Sequence, residues 1–404
     1  MKHRLSVLVV ALSLARVGFA DILPGFGLEK VADAQGFVTS LAFDADGTLH
    51  YSVRDGGIYR LDEGVSSLVA TVETWNAGNA ALLGIAFLPS GEIVTHHVAP
   101  DRTGDVVAKI DLATSETVTL AFFPCPSTTC QTEHHGGNPL VRADGTIFVA
   151  IGDLAVPNRV QNPASSSGKI FSISPQGDVT LFALGFRNPF DLAWDEVFGR
   201  LIVGDNGSVA NDEICFVEQD ENHGWPLSMG SEPVPFGVTA PVYAFAETVA
   251  PTGLALVSGS SGNFFYRGLL VGAWVSEALY YFPSYGAADI APPAAVIFRE
   301  AGSVIDVVQS LEGAVYVATA SEIFHLTTPI LGDANGDRIV NRDDLDALSL
   351  ELLDGDGVAA ARCHEGLQLS TLGADVNRDG EINALDIVSL HELLKTRRRG
   401  VRRP

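Results

Sequence analysis

Lysine is scarce in this chain: beyond Lys2, Lys30, Lys109 and Lys169, none occurs until Lys395. Lys and Arg together number 25 against 49 Asp and Glu, a formal charge of -24 that makes nucleic acid and anionic membranes poor partners. No apolar run beyond the first twenty residues reaches the ~20 residues needed to cross a bilayer, so no membrane span is expected. Helical periodicity is almost missing before residue 328. With 404 residues, 47% of them hydrophobic and 18% charged, the chain is neither disordered nor fibrous, and it can bury one large core beside a small accessory domain. There are four cysteines. Cys125 and Cys130 are close enough to staple one loop, whereas Cys215 and Cys363 fall in different expected domains and the sequence leaves their pairing open.

The N-terminus has the order of a secretory signal peptide. Basic Lys2, His3 and Arg4 precede an apolar stretch from Leu5 to Ala15, then Gly18-Phe19-Ala20 places small residues at a cleavage site after Ala20. A short membrane anchor is the alternative, but the stretch is too short and Arg16 interrupts it. Cleavage would remove residues 1–20 with three basic groups and no acid, taking the charge from -24 to -27, and leave a secreted protein, extracellular or periplasmic. Residues 21–328 alone carry 35 acids against 12 Lys or Arg.

Between 37 and 328 one phrase recurs: an apolar strand, a turn with Gly, a second apolar strand. It occurs at Leu41-Ala42-Phe43, Leu83-Gly84-Ile85, Asp144-Gly145, Leu192-Ala193-Trp194, Gly253-Leu254-Ala255 and Val307-Val308. Six such units of short strands predict an all-β six-bladed propeller over residues 21–329. A pair of β-sandwiches is the alternative. In a propeller, loops at one mouth of the channel converge, so residues far apart in sequence can build one site.

Past Thr327-Thr328-Pro329 acidic loops alternate with helix-like runs, which predicts a small α-helical calcium-binding domain over 330–396 and a basic tail over 397–404. The first loop offers Asp333, Asn335, Asp337, the backbone carbonyl of Ile339, Asn341 and Asp344; the second, 42 residues on, offers Asp375, Asn377, Asp379, Glu381, Asn383 and Asp386. Hard oxygen ligands at positions 1, 3, 5, 7, 9 and 12 suit calcium, one ion per loop. Apolar runs follow each loop: Leu345, Leu348, Leu352 and Leu353, then Ile387, Val388, Leu390, Leu393 and Leu394. Two acidic surface turns are the bland alternative. Arg338 stands where Gly usually makes the sharp turn, and Gly380 fills that place in the second loop. The segment 331–396 resembles a type I dockerin, which implies a cohesin-bearing partner. Arg342-Asp343 and Ala384-Leu385, at the positions that set partner choice, differ from the familiar Ser/Thr pair.

Four further stretches carry a second resemblance: Leu82-Leu83-Gly84-Ile85-Ala86-Phe87; Glu133-His134-His135-Gly136-Gly137-Asn138 with Ile151-Gly152-Asp153; Leu184-Gly185-Phe186-Arg187-Asn188-Pro189; and Asn206-Gly207 through Asp212-Glu213-Ile214 to Asn222-His223-Gly224-Trp225-Pro226. In order and spacing they are similar to the glucose/sorbosone dehydrogenase family of propellers, which includes soluble quinoprotein sugar dehydrogenases. The resemblance implies a sugar substrate, with pyrroloquinoline quinone (PQQ) and calcium as cofactors. It makes His134 the base, Asp153 its partner, and Arg187 the residue against the quinone. Asn188 would support the cofactor, and the carbonyls of Gly207 and Ser208 would help hold calcium. The chemistry is coherent, since a neutral imidazole can take a hydroxyl proton while hydride leaves the same carbon.

One departure bears on the cofactor. The quinone carries three carboxylates, and the family meets them with a lysine and an arginine pair from the fifth and sixth blades. Here those blades have no lysine, and Gly302-Ser303-Val304-Ile305-Asp306 stands where arginines are expected; Arg187, Arg267 and Arg299 are the remaining anchors. The alternative function is therefore a non-catalytic propeller that binds carbohydrate or protein and is displayed through the dockerin-like module. A hydrolase such as a lactonase is a third reading, without a nucleophile to carry it.

Overall fold

A computed structural model describes residues 26–230, 233–258, 267–298, 302–328, 330–335, 337, 339–354, 371–377 and 382–400. The expected signal peptide, Arg299, Cys363, Asp379 and Glu381 lie outside the described residues, as does the side chain of Arg267.

The described residues up to 327 form six four-stranded antiparallel sheets. Five are continuous in sequence: strands begin and end at 38–71, 82–124, 140–184, 189–244 and 251–298. The sixth takes Val304–Gln309, Val315–Thr319 and Glu322–Thr327 and closes with Gly27–Asp33, which pairs antiparallel with Glu322–Thr327. Joining the first strand to the last blade leaves no open gap in the ring, and covers an edge that would otherwise expose unpaired amides. The first strand of each of these blades faces the corresponding strands of its two neighbours around a central channel.

Sequence dictates this locally. Strands such as Leu49–Val53 and Ile147–Ile151 are buried along their whole length because each blade is covered on both faces. Between blades the apolar side chains interdigitate; Ile58, Leu82, Ile85 and Ile93, for example, pack the first blade onto the second. The innermost strands do not ladder with one another, so their amides need other acceptors. Side chains at bulges supply them. Ser40 Oγ accepts from Ile85 N, Asp191 Oδ2 from Leu254 N at 2.6 Å, and Asp306 Oδ2 from Leu41 N at 2.6 Å, each reaching into the next blade. Asp191, Asp306 and Asn138 line a cavity of about 270 Å³ in the channel.

Burial pushes Asp191 up to about 7, and burial together with the charge of Asp191 raises Asp306 well above the carboxylate range. A carboxyl whose folded pKa is raised contributes stability that is complete below its unfolded value and is lost as pH climbs through the folded one. The melting temperature is therefore expected to fall between about pH 4 and pH 8 through this pair. Asp191→Asn should be less stable than the parent at acid pH but show a shallower decline; equal slopes in calorimetry would contradict the assignment.

Cys125 and Cys130 form a disulfide with Cα atoms 5.3 Å apart, while Cys215 is buried with a free thiol. In the C-terminal part, helices span Arg342–Asp354 (α1), Thr371–Ala374 (α2) and Ala384–Gly400 (α3). Ala334, Leu348, Ala374, Val376 and Leu390 form their buried cluster. Leu352 and Leu353 are exposed at 38% and 82%, so the expected apolar run after the first loop is only half core. The basic residues Arg397, Arg398 and Arg399, expected as a tail, continue α3. Among the described residues no helix is long and apolar enough to cross a membrane.

Candidate functional site

Every innermost strand starts on the same side of the ring, so the loops that precede these strands and the turns after their second strands share one mouth. His134 lies before the third blade's innermost strand, Asp153 after that blade's second strand, and Arg187 before the fourth blade. His134 Nδ1 is 2.7 Å from Asp153 Oδ1. A carboxylate oxygen only accepts, so Nδ1 carries a proton in this pair and Nε2 lies on the far side of the ring from Asp153. Asp153 is 2% exposed and His134 18%, which gives the dyad a buried anchor and an accessible tip.

Asp153 is fully engaged. Its Oδ1 also accepts from Ala155 N at 2.8 Å, and its Oδ2 accepts from the indole Nε1 of Trp225 at 2.9 Å. The sequence assigns Trp225 no role of its own; its place in the Asn222-His223-Gly224-Trp225-Pro226 motif is the signal that could have found it. The Trp225–Pro226 peptide is cis. Trp225→Phe keeps the ring but leaves one oxygen of Asp153 without its donor, and about 1–3 kcal/mol is the usual consequence of such a loss. In an assay of the mouth's chemistry, a roughly tenfold lower turnover with little change in KM is expected. A variant indistinguishable from the parent would remove Trp225 from the site.

The backbone is bent to make this meeting. His134, Leu154 and Ala155 have φ of 55°, 54° and 56°, a left-handed conformation that non-glycine residues rarely take. Gly152 permits the close pass: a Cβ there would sit 2.2 Å from the carbonyl oxygen of His134. The next residue bolts the loop down. His135 Nδ1 donates to Asp105 Oδ1 at 2.7 Å and Nε2 to the carbonyl of Gln131 at 2.8 Å. Both partners are acceptors, so His135 is an imidazolium. Burial lowers its pKa, but the charge and hydrogen bond of Asp105 outweigh that and the net shift is upward.

Arg187 and Asn188 are held from below, their amides donating to Asp205 Oδ2 and Oδ1 at 2.9 and 2.6 Å. Burial, with Glu213 close by, raises Asp205 well above the carboxylate range, and burial pushes Glu213 up to about 7. The amide oxygen of Asn188 accepts from Gly136 N at 3.3 Å, so this side chain braces the His134 loop. Arg187 Nη1 donates to the carbonyls of Asn206 and Gly207, at 3.0 and 2.6 Å, and its guanidinium lies 5.8 Å from the Trp225 ring centroid.

That arrangement bears on the implied cofactors. The Gly207 carbonyl, where the resemblance puts calcium, already faces a guanidinium. Asp212 is also engaged, accepting from the amides of Gly207, Val249 and Ala250, while Ser208 is exposed. The residues at this shelf do not fit a calcium ion.

In the C-terminal loops Asp344 accepts from Ala334, Asn335 and Asn341, and Asp386 accepts from Asn377 and Asn383, the same wrap twice. Among the described residues no three His, Cys, Asp or Glu side chains converge on one point; the loops combine carboxylates with Asn amides and a carbonyl.

The profile of the Glucose / Sorbosone dehydrogenase family matches residues 37–326, well over half the chain. The chain belongs to that family. The Dockerin type I domain profile matches residues 331–395, so this member carries a dockerin domain behind its propeller. Aldose sugar dehydrogenase YliI of Escherichia coli is 22% identical over 166 residues, 35% of this chain and 45% of the relative. Quinoprotein glucose dehydrogenase B of Acinetobacter calcoaceticus is 24% identical over 174 residues, 35% and 34% of the two chains. The chain thus spans less than half the length of these curated relatives. Among solved structures, the apo form of the soluble aldose sugar dehydrogenase from E. coli superposes with TM-score 0.68 at 19% identity, over 75% of this chain and 99% of that one. The PQQ-bound aldose sugar dehydrogenase from Streptomyces coelicolor gives 0.66 at 22%, over 76% and 99%. At these identities the superpositions speak for the six-bladed fold alone.

Proposed function

We propose that this family member oxidises a hydroxyl of an aldose-like sugar at the propeller mouth, and that it is a secreted protein. The supporting observation is the His134–Asp153–Trp225 chain, which holds the imidazole through Nδ1 and leaves Nε2 for the substrate. His134 takes the hydroxyl proton, and Asp153 stabilises the imidazolium that forms. A quinone such as PQQ, when bound, supplies the hydride acceptor; Arg187 would hold it there by facing the negative charge it gathers. The calcium shelf of Gly207 and Ser208 has no part in this reading. Residues 330–396 serve as a dockerin that takes two calcium ions through the loops Asp333 to Asp344 and Asp375 to Asp386, and that docks on a cohesin-bearing protein.

A second reading, a propeller that binds carbohydrate or protein without turnover, draws support from the apolar sixth blade and the guanidinium on the Gly207 carbonyl. Titrating the full chain with PQQ in a calorimeter separates the two. Saturable binding at micromolar quinone is expected; no binding at tens of micromolar would leave the dehydrogenase reading unsupported and favour the second.

A further inference from the structure

Opposite His134 the same mouth carries two exposed aromatic rings. In a ring of six the sixth blade faces the third, and its neighbours are the fifth and the first. Trp274 from the fifth blade and Phe37 from the first meet across it, with centroids 6.0 Å apart and planes inclined by 40°. They are 42% and 37% exposed. Trp274 is pinned by its backbone, N donating to Ala250 O at 2.9 Å and O accepting from Ser303 Oγ at 2.8 Å. The carbonyl of Phe37 accepts from Arg54 N, and the Arg54 guanidinium lies 5.4 Å from the Phe37 ring.

Aromatic faces and guanidinium donors alternate around this mouth. Arg102 lies 4.8 Å from the Trp75 ring before the second blade, and Arg187 lies 5.8 Å from Trp225 at the fourth. Three of the four tryptophans are thus on this side; Trp194 ends the fourth blade's innermost strand, at the other end of the channel. Exposed rings on rigid backbone, interleaved with hydrogen-bond donors, suit a ligand that has C–H faces and hydroxyl edges. The chain's charge of -24 disfavours an anionic ligand on these two rings, since the cation proposed to face a quinone, Arg187, belongs to the fourth blade.

We propose that Trp274 and Phe37 form a subsite that stacks a neutral pyranose ring across the channel from His134. The subsite rests on the reading of this mouth as a sugar site, and its test is one of binding, so the two can fail separately. The full chain, free of quinone, is titrated with cellotetraose, maltotetraose and xylotetraose, with trigalacturonate as the anionic control. At least one neutral tetraose should bind in the micromolar to low millimolar range, while trigalacturonate does not. Trp274→Ala and Phe37→Ala should each weaken that binding about tenfold, the loss of one stacked ring, whereas Trp274→Tyr stays within about threefold of the parent. The alanine variants must melt with the parent in calorimetry, which separates loss of the ring from misfolding, and the tyrosine variant then shows that an aromatic face is what binds.

Absence of binding by all three tetraoses at about 10 mM, or affinity indifferent to both rings, overturns the subsite. Tetraose binding that needs Trp274, without any quinone reduction by aldoses, leaves the subsite standing and sinks the dehydrogenase. Turnover with KM unchanged in Trp274→Ala does the reverse.

Discussion

Alanine in place of His134 is expected to lower sugar-dependent reduction of an added quinone by about 10²- to 10⁴-fold, the range that a positioned general base contributes. Quinone affinity should be nearly unchanged, because the imidazole is proposed to act on the sugar hydroxyl and Arg187 is the group facing the acceptor. His134 is partly exposed and its ring is bonded to Asp153 through Nδ1, so removing the ring opens no large cavity. Its left-handed φ of 55° suits alanine no better than histidine, and His135, bonded to Asp105 and Gln131, still holds the loop. Stopped-flow absorbance with a panel of aldoses checks the rate, and calorimetry checks the affinity. Reduction indifferent to the substitution would take His134 out of the reaction.

Calcium removal should have an equally large effect, confined to the other end of the chain. Among the described residues the C-terminal apolar cluster is small: Ala334, Leu348, Ala374, Val376 and Leu390, with partly buried neighbours. So small an apolar cluster is weak support for helices α1, α2 and α3 and two acidic loops. If the loops bind calcium, the binding free energy is folding free energy, and chelation should unfold residues 331–396. The propeller, with its own inter-blade clusters and closing strand, should stay folded. Calorimetry is expected to show the smaller transition lost in chelator and restored by calcium, with the larger one little changed. Asp386→Ala removes the acceptor of the Asn377 and Asn383 amides and should raise the calcium needed for that transition. A single melt that shifts as a whole would contradict independent modules.

The blade count was legible because each blade repeats two apolar strands around a Gly turn, a pattern local enough to read by eye. The closing strand Gly27–Asp33 was not, since its partner Glu322–Thr327 lies at the far end of the propeller and strand pairing leaves no mark on either sequence. Asp191 and Asp306 carry no mark of their task in the sequence, because feeding an acceptor to the next blade's amide exists only once the ring has closed. The meeting of His134 with Asp153 was expected from a family motif and is seen at 2.7 Å, whereas Trp225 as the third member needed coordinates. Arg187 was expected against a quinone. That its guanidinium faces the Gly207 carbonyl could not be read from residue types, because the contact depends on a turn that brings 206–207 beside it.

The most direct test of the central claim is a single-turnover experiment on quinone-loaded full chain, mixed anaerobically with excess aldose while the quinone spectrum is followed. One equivalent of quinone should be reduced, and deuterium at the oxidised carbon should slow the step in the parent protein. A loaded chain whose quinone stays oxidised against every aldose would contradict the account.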